Sequence, residues 1–328
     1  MPRPPFDPEL SAALELGRAS SPPLVPPASV TPEMLPAIRR ARAALTPAVD
    51  EFAAEVAEYG RVSRRRVAGL RPGDPEVELT VVRPRDAAGP LPCVYHCHGG
   101  GMISGDSLTG LSAVLEWGRG VGPLVVVSVD YRLAPEHPHP APVDDAYAGL
   151  RWTAEHASEL GIDPELLVVA GMSAGGGIAA ALALRARDEL GPAVAGQLLM
   201  CPMLDDRGIT PSSQELRGEG VWDAISNRTG WDALLAGAAG SAGVSAYAAP
   251  ARAQDLSGLP PTFLDVGSAE TFRDEVVDYA VRIWQAGGRC ELHVWPGGWH
   301  GFDVFAPQAR LAARARSART EWLGNLLS

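Results

Sequence analysis

From residue 92 onward, short apolar runs alternate with segments whose apolar residues recur every three or four positions. The short runs are rich in Val, Ile and Leu, as strands buried on both faces are, and the longer segments have the spacing of amphipathic helices. Strands that alternate with helices predict a mostly parallel sheet with helices on both faces. The predicted strands in this part are 92–97, 124–129, 166–170, 194–201, 262–266 and 290–295. The predicted helices are 108–120, 142–160, 271–286 and 304–327.

The N-terminal part of the chain has a different pattern. Residues 1–30 hold many prolines and show little periodicity, which predicts a loosely ordered arm. A Thr-Pro-Glu sequence at 31–33 is typical of a helix start, and the apolar spacing predicts one helix from there to about residue 56. Strand-like runs at 61–70 and 76–84, separated by a turn rich in Pro and Gly, predict a hairpin. With these two, the chain has eight predicted strands.

Residues 204–250 interrupt the alternation of strands and helices. The segment is rich in Asp, Gly and Ser, and it carries Trp222 and Trp231 among short helix-like pieces. An insertion at the carboxyl edge of a parallel sheet is where a lid over a substrate pocket would lie. Trp231 is therefore a candidate pocket residue, with ordinary packing inside the insertion as the equal alternative.

Residues 171–175 read Gly-Met-Ser-Ala-Gly, a G-x-S-x-G sequence between the predicted strand 166–170 and a helix pattern rich in small residues. This context is typical of a nucleophile elbow, a sharp strand-to-helix turn that exposes one serine above the sheet. Residues without a side chain allow so tight a turn. The pattern predicts Ser173 as a nucleophile, with Met172 beside it as a candidate substrate-pocket residue.

The sequence His-Gly-Gly-Gly at 98–101 directly follows the first strand of the alternating pattern. Acyl transfer builds negative charge on a carbonyl oxygen, and backbone N–H groups aimed at that oxygen stabilise it. An H-G-G-G sequence after a strand is typical of the loop that supplies such donors. We expect the N–H groups of Gly99, Gly100 and Ala174 to form this oxyanion hole, and Gly101 to line the substrate pocket.

A serine nucleophile in this context needs a base after the last strand and an acid between the two in the chain. Of seven histidines, His300 lies in a Gly-rich turn just beyond the strand 290–295, which makes it the candidate base. Glu270 lies in the loop after the strand 262–266 and is the favoured acid, with Asp274 in the following helix as the alternative. A carboxylate in this role holds the imidazole in one tautomer and stabilises the imidazolium.

Composition narrows the range of partners. The chain has 328 residues with 28 Lys and Arg against 39 Asp and Glu, a net charge of −11, which disfavours nucleic acid and anionic membranes as partners. Apolar stretches are too short for a membrane span, and the N-terminus lacks the apolar core of a signal peptide, so a cytoplasmic location is expected.

Arginines at positions 310, 314, 316 and 319 predict that the last helix lies on the surface.

The cysteines and histidines do not predict a metal centre. Four cysteines lie in apolar segments, and we expect buried thiols and no disulfides; they are Cys93, Cys97, Cys201 and Cys290. In the His-Cys-His sequence at 96–98, a strand would point both histidines to one side and the cysteine to the other, without a further ligand at useful spacing. We therefore expect neither a metal nor a cofactor.

Together these motifs resemble the hormone-sensitive-lipase-like family of α/β hydrolases, a group that includes bacterial carboxylesterases. The matching segments are 98–101, 131–136, 140–145, 171–176, 270–275 and 300–302. The resemblance implies an α/β-hydrolase fold, with an eight-stranded and mostly parallel sheet and a helical cap. It also implies ester hydrolysis without a metal or a cofactor. The chain departs from the family at Met172, Gly177 and Glu270, where a polar residue, an Asn and an Asp are common.

In this family the cap is built from the N-terminal segment and an insertion after the sixth strand. The resemblance therefore implies a first part of the cap at 1–55, a catalytic core at 56–203 and 251–328, and a cap insertion at 204–250. Family members often dimerise through the last edge strand, which implies a homodimer through residues 290–295.

The expected activity is that of a serine carboxylesterase that hydrolyses short-to-medium acyl or aryl esters of small molecules through an acyl-enzyme intermediate. A deacetylase or amidase acting on a specific metabolite would use the same residues and is an open alternative. A binding protein that reuses the fold is a further alternative, disfavoured because every candidate catalytic residue is present.

Overall fold

A computed structural model describes residues 3–20 and 25–328 of the chain. The strands are β1 (Gly60–Val67), β2 (Val77–Pro84), β3 (Leu91–Cys97), β4 (Val125–Asp130), β5 (Ile162–Met172), β6 (Gly196–Met200), β7 (Thr262–Gly267) and β8 (Cys290–Trp295). They form one sheet in the order β1-β2-β4-β3-β5-β6-β7-β8. β2 pairs antiparallel with both β1 and β4, and all the other neighbours pair parallel. The predicted eight-stranded, mostly parallel sheet is confirmed.

The helices lie between the strands and at the two ends of the chain. Those of the described residues are α1 (Pro8–Ala19), α2 (Leu35–Leu45), α3 (Val49–Glu55), α4 (Leu111–Val121), α5 (Ala141–Glu155), α6 (Ala157–Leu160), α7 (Ala174–Asp188), α8 (Ser212–Glu215), α9 (Ala224–Leu234), α10 (Arg273–Gln285), α11 (Phe302–Phe305) and α12 (Arg310–Leu327). Of the helices in residues 3–20 and 25–328, none combines the length and the apolar character that a membrane crossing needs.

An apolar layer covers each face of the sheet. Along β4, Val125, Val127 and Val129 belong to the core cluster that contains residues of α5, α7 and α10, whereas Val126 belongs to the cluster with residues of α4 and α12. Successive side chains of a strand point to opposite faces, so a run of valines fills both layers. The prediction of helices on both faces is confirmed.

The prediction of a loosely ordered arm over residues 1–30 is wrong for the segment that forms α1. Asp7 caps this helix, because its side chain accepts hydrogen bonds from the backbone N–H groups of Glu9 and Leu10. Leu10 and Leu14 are buried on its inner face. Residues 1, 2 and 21–24 of the predicted arm lie outside the described residues.

Proline divides two segments that were each predicted as one helix. The predicted helix from residue 31 to about 56 is a short 3₁₀ turn (Pro32–Met34) followed by α2 and α3, with Pro47 in the break. The predicted helix 304–327 is α11 and α12, with Pro307 between them. Proline cannot donate a backbone hydrogen bond and restricts the residue before it, so each helix ends ahead of the ring.

Candidate active site

The turn from β5 into α7 consists of Ser173 alone. Its backbone has φ 59° and ψ −122°, a conformation that residues with a side chain rarely adopt. Two backbone hydrogen bonds stabilise this strained residue, from Ser173 N to the carbonyl of Met200 at 2.8 Å and from Met203 N to the carbonyl of Ser173 at 3.0 Å. The strand, the sharp turn and the helix have the geometry that was predicted for a nucleophile elbow.

Two glycines make this turn sterically feasible. A Cβ atom on Gly175 would lie 2.0 Å from the carbonyl oxygen of Cys97, and one on Gly171 would lie 2.3 Å from the carbonyl carbon of Gly175. Real Cβ atoms do not approach other atoms this closely, so both positions require glycine in this backbone. The helix can therefore start directly against the end of β3.

Ser173, His300 and Glu270 form one continuous chain of hydrogen bonds. His300 Nε2 lies 2.9 Å from Ser173 Oγ, and His300 Nδ1 lies 2.9 Å from Glu270 Oε1. All three residues are buried. Because a carboxylate faces Nδ1, that nitrogen carries the proton and Nε2 is left to accept one from the serine hydroxyl. The arrangement can therefore draw a proton from Ser173.

Further contacts fix the carboxylate and the imidazole. The second oxygen of Glu270, Oε2, accepts a hydrogen bond from the backbone N–H of Gly267 at 2.9 Å. The ring of Phe272 meets the ring of His300 edge-on, with 5.2 Å between their centroids. The loops after β7 and β8 are also joined to each other, since Ala269 N donates to the carbonyl of Gly298 at 3.0 Å. Acid and base are thus held by adjacent loops.

Asp274, the alternative acid, faces other partners. Its Oδ2 accepts from the backbone N–H of Ser212 at 2.8 Å, and its Oδ1 accepts from Arg273 Nε at 2.7 Å. These contacts explain why the pKa of Asp274 lies below its usual range even though partial burial acts in the opposite direction. Of the two carboxylates considered, the structure brings Glu270 to the imidazole.

The predicted oxyanion donors lie beside the serine. A Cβ on Gly99 would lie 3.8 Å from Ser173 Cβ, so the loop after β3 passes next to the nucleophile. Gly100 has φ +130°, and a Cβ there would lie 1.9 Å from the carbonyl oxygen of Ser104. Within residues 3–20 and 25–328, neither glycine donates its backbone N–H to another protein group. Ala174 is the first residue of α7, where a backbone N–H lacks an intrahelical partner.

A buried aromatic stack supports the oxyanion loop. The rings of His98 and Tyr131 lie 4.0 Å apart with 7° between their planes, and the Tyr131 hydroxyl donates to the carbonyl of His98 at 2.7 Å. Burial lowers the pKa of His98 to about 4, so the ring is neutral at pH 7 and its Nδ1–H donates to the carbonyl of Gly99 at 2.9 Å. His96 bonds Ser128 instead, with 3.0 Å from its Nδ1 to the hydroxyl oxygen.

The candidate pocket residues have different positions. Gly101 has φ +66°, and a Cβ there would lie 2.3 Å from the Trp222 ring, so the indole packs directly on the oxyanion loop. Trp222 also faces His300, with 6.4 Å between the ring centroids. Met172 is partly buried, and its Cε would lie 3.7 Å from a Cβ on Gly99.

Trp231 is almost completely buried in the large core cluster. The sequence analysis named Trp231 as a candidate pocket residue and did not name Trp222. The insertion that carries both residues has no clear periodicity, so its sequence does not separate pocket residues from core residues.

Cys201 is a second residue that sequence reasoning did not connect with the site. Its Sγ, a carboxylate oxygen of Glu270 and a ring nitrogen of His300 all lie within 4.8 Å of one another. Burial raises the pKa of the Cys201 thiol well above its usual range, and the charge of Glu270 adds to this effect. All four cysteines are free thiols, as expected, but Cys290 on the edge strand is partly exposed and not buried.

Sequence comparisons agree with the motifs. Residues 94–304 match the family described as the α/β hydrolase fold. The chain is 42% identical over 234 residues to the carboxylesterase NlhH of Mycobacterium tuberculosis, an alignment that covers 69% of this chain and 70% of that protein. It is 39% identical over 227 residues to the esterase LipI of the same organism, covering 68% and 69% of the two chains.

Solved structures resemble this chain over nearly its full length. A bacterial heroin esterase superimposes with a TM-score of 0.86 at 37% identity and covers 98% of both chains. The esterase LipW of Mycobacterium marinum superimposes with a TM-score of 0.85 at 35% identity, covering 99% of this chain and 98% of that one. The structural resemblance therefore extends to the N-terminal helices, which lie outside the matched residues 94–304.

Proposed function

Because the chain belongs to the hormone-sensitive-lipase-like family of α/β hydrolases, we propose that it is a serine carboxylesterase with Ser173 as its nucleophile. The observation that carries this proposal is the unbroken series of hydrogen bonds from Ser173 through His300 to Glu270. Relatives named esterase and carboxylesterase support the reaction class.

In the proposed reaction, His300 Nε2 takes the proton of the Ser173 hydroxyl as the oxygen attacks the ester carbonyl. The negative charge on the carbonyl oxygen is stabilised by the N–H groups of Gly99, Gly100 and Ala174. The protonated imidazole then gives its proton to the departing alcohol. Water, activated by the same imidazole, releases the acid from the acyl-enzyme.

Glu270 acts on the base and does not touch the substrate. Its charge keeps the Nδ1 proton of His300 in place and stabilises the imidazolium that forms during each transfer. The backbone N–H of Gly267 donates to the second carboxylate oxygen, so the carboxylate cannot rotate freely away from the ring. A glutamate in place of the more common aspartate can therefore serve as the third member of the triad.

The proposed cap consists of residues 1–55 and 204–250, and the proposed core consists of 56–203 and 251–328. Hydrogen bonds between the two cap segments support this division. Ser29 Oγ donates to Asp223 Oδ2 at 2.6 Å, and Val30 N donates to Ser226 Oγ at 2.8 Å. Asp223 is the N-cap of α9 and Ser226 lies in the first turn of that helix, which begins directly after Trp222 and Asp223. The N-terminal segment is therefore bonded to the part of the insertion next to the indole that faces His300.

We expect substrates with short-to-medium acyl chains or aryl groups. The Trp222 ring packs against Gly101 and stands near His300, which narrows the space beside the oxyanion loop. The overall charge of −11 gives no advantage for binding an anionic lipid surface. A rate profile across p-nitrophenyl esters should therefore peak below about twelve acyl carbons, and a maximum above that length would contradict the size limit.

Substitution of the nucleophile tests the function. In Ser173→Ala the kcat/KM for p-nitrophenyl butyrate should fall about 10⁴- to 10⁶-fold, since a triad acts as a unit. Ser241→Ala is the matched control, because Ser241 is an exposed loop serine and should leave the rate unchanged. Full activity in purified Ser173→Ala would refute the proposed function.

A further inference from the structure

We propose that Cys201, Glu270 and His300 form a binding site for a thiophilic divalent cation such as Zn²⁺, and that the bound ion inactivates the enzyme reversibly. The inhibitory effect rests on the proposed esterase function, whereas the binding of the ion does not. The observation that supports the proposed metal site is one buried cluster of a thiol, a carboxylate and an imidazole that are distant in the sequence.

The fold explains why these three groups meet. Cys201 directly follows β6, Glu270 follows β7, and His300 follows β8. These strands are consecutive and parallel in the sheet, so their carboxyl ends lie side by side. The backbone N–H of Cys201 also donates to the carbonyl of Asp265 on β7 at 2.7 Å, which fixes the thiol beside the loop that carries Glu270.

The distances are compatible with a tetrahedral ion. Zinc bonds of about 2.3 Å to sulfur and about 2.0–2.2 Å to nitrogen and oxygen require roughly 3.3 Å between nitrogen and oxygen and roughly 3.6 Å between sulfur and nitrogen. In the structure, His300 Nδ1 and Glu270 Oε1 are 2.9 Å apart, and Cys201 Sγ lies within 4.8 Å of a ring nitrogen of His300 and of a carboxylate oxygen of Glu270. Small side-chain adjustments would therefore bring all three ligand atoms to bonding distance of one ion.

The donor set also suits the ion. Thiolate, imidazole and carboxylate are all ligands that zinc accepts, and three protein ligands leave a fourth position for water. Cys201 and His300 retain 5% and 6% of their surface. The carboxylates of Asp265 and Asp303 add negative charge near Cys201, which favours a cation there even though Arg319 offsets part of it.

Binding of the ion would stop the proton transfer that catalysis needs. A cation on Nδ1 replaces the proton at that nitrogen, and the remaining ring proton then lies on Nε2, which can no longer accept one from Ser173. The thiol of Cys201 loses its proton to solvent, and Glu270 is withdrawn from the imidazole. Removal of the ion by a chelator restores the original hydrogen bonds, so the inhibition is reversible.

Zinc titration of the purified enzyme tests the inhibition. Loss of a group that only hydrogen-bonds a metal ligand typically lowers metal affinity about 10- to 100-fold. Cys201→Ala removes a ligand itself, so it should raise the Zn²⁺ concentration for half-inhibition by about 100-fold. Inhibition is measured against that variant's own uninhibited rate. Cys201→Ser, which keeps the size of the side chain, serves if the alanine variant does not fold. Cys290→Ala is the matched control and should retain the Zn²⁺ sensitivity of the parent. Equal sensitivity in the parent and in both Cys201 variants would overturn the proposal.

A spectroscopic readout separates this proposal from the esterase function. Co²⁺ added to Ser173→Ala protein, which needs no activity for the measurement, should give a near-ultraviolet charge-transfer band from a cobalt–thiolate bond. The band should be absent when Cys201→Ala is added to that variant and present when Cys290→Ala is added. A missing band in Ser173→Ala, or a band that survives the loss of Cys201, would refute the metal site without bearing on whether Ser173 is the nucleophile.

Discussion

The two halves of the candidate site are held in place by different means. The elbow region, residues 97–101 and 171–177, is positioned by backbone packing in which glycines let one segment touch another. The acid–base region, residues 265–270 and 297–303, is positioned by polar side chains. In the first region close backbone approach at glycines sets the geometry, with the His98–Tyr131 stack as a support. In the second region a similar close approach of Gly267 to Gly298 is joined by polar side-chain bonds that hold the acid and the base.

The acid–base region depends on a buried ion pair network beneath it. Arg319 of α12 is almost completely buried and donates to Asp265 on β7 at 2.7 Å and to Asp303, three residues after His300. The two carboxylates thus attach the loop that carries His300 to the strand that precedes Glu270. The prediction of a surface helix did not indicate that one of its arginines, Arg319, is buried, and its pairing with two carboxylates is what allows a guanidinium to be buried.

Apart from loss of the nucleophile itself, the largest expected effect is in the acid–base region. In Glu270→Gln the amide cannot hold the Nδ1 proton and stabilise the imidazolium, so kcat/KM for p-nitrophenyl butyrate should fall about 10³- to 10⁴-fold. Asp274→Asn is the matched control, because Asp274 bonds Ser212 and Arg273 and should lose less than about tenfold. A larger loss in Asp274→Asn than in Glu270→Gln would reassign the acid.

The ion pair network should be the next most sensitive feature. Arg319→Met leaves Asp265 and Asp303 buried without their common partner, which should cost about 3–5 kcal/mol of unfolding free energy by urea denaturation. Arg314→Met on the exposed face of the same helix should change stability by less than about 0.5 kcal/mol. Equal stability of the two variants would show that side-chain pairing does not hold the acid–base region.

Packing in the elbow region should respond to a single methyl group. Gly175→Ala places a Cβ 2.0 Å from the carbonyl oxygen of Cys97, so the backbone must shift and stability should fall by about 3 kcal/mol or more. Gly243→Ala is the control, since a Cβ there would meet nothing within 4 Å. If Gly175→Ala were as stable and active as Gly243→Ala, the steric basis of the elbow would be wrong.

The same difference explains what could be predicted from the sequence. Glycines in G-x-S-x-G and H-G-G-G produce local geometry, so a pattern a few residues long was enough to predict the elbow and the loop beside it. Glu270 and His300 could be proposed because each follows a predicted strand, and the parallel sheet places such loops together. Cys201 also lies at the carboxyl end of a predicted strand, but an isolated cysteine carries no pattern that links it to the catalytic groups. Trp222 lies near His300, and Arg319 bonds Asp265 and Asp303 beside the two loops, from segments whose neighbouring residues do not indicate those contacts.

Elements were predicted best where hydrophobic periodicity was strong and uninterrupted. All eight strands were found, because the buried parallel strands are short apolar runs and the antiparallel strands β1 and β2 flank a turn rich in Pro and Gly. Helices were joined wrongly across Pro47 and Pro307 and across His156, which separates α5 from α6, and α1 was missed because flanking prolines concealed its period. At Pro47 and Pro307 a single residue interrupts a helix, although the apolar spacing over the longer segment predicts one continuous helix.

Covalent labelling tests the central proposal, that Ser173 is the nucleophile, most directly. A fluorophosphonate reacts with a serine only when a neighbouring base activates it, so peptide mass spectrometry should find one adduct, on Ser173. The labelling rate should fall about 10³- to 10⁴-fold in Glu270→Gln, in step with its kcat/KM. An adduct on a different serine, or full esterase activity in protein that takes no label, would contradict the triad proposed here.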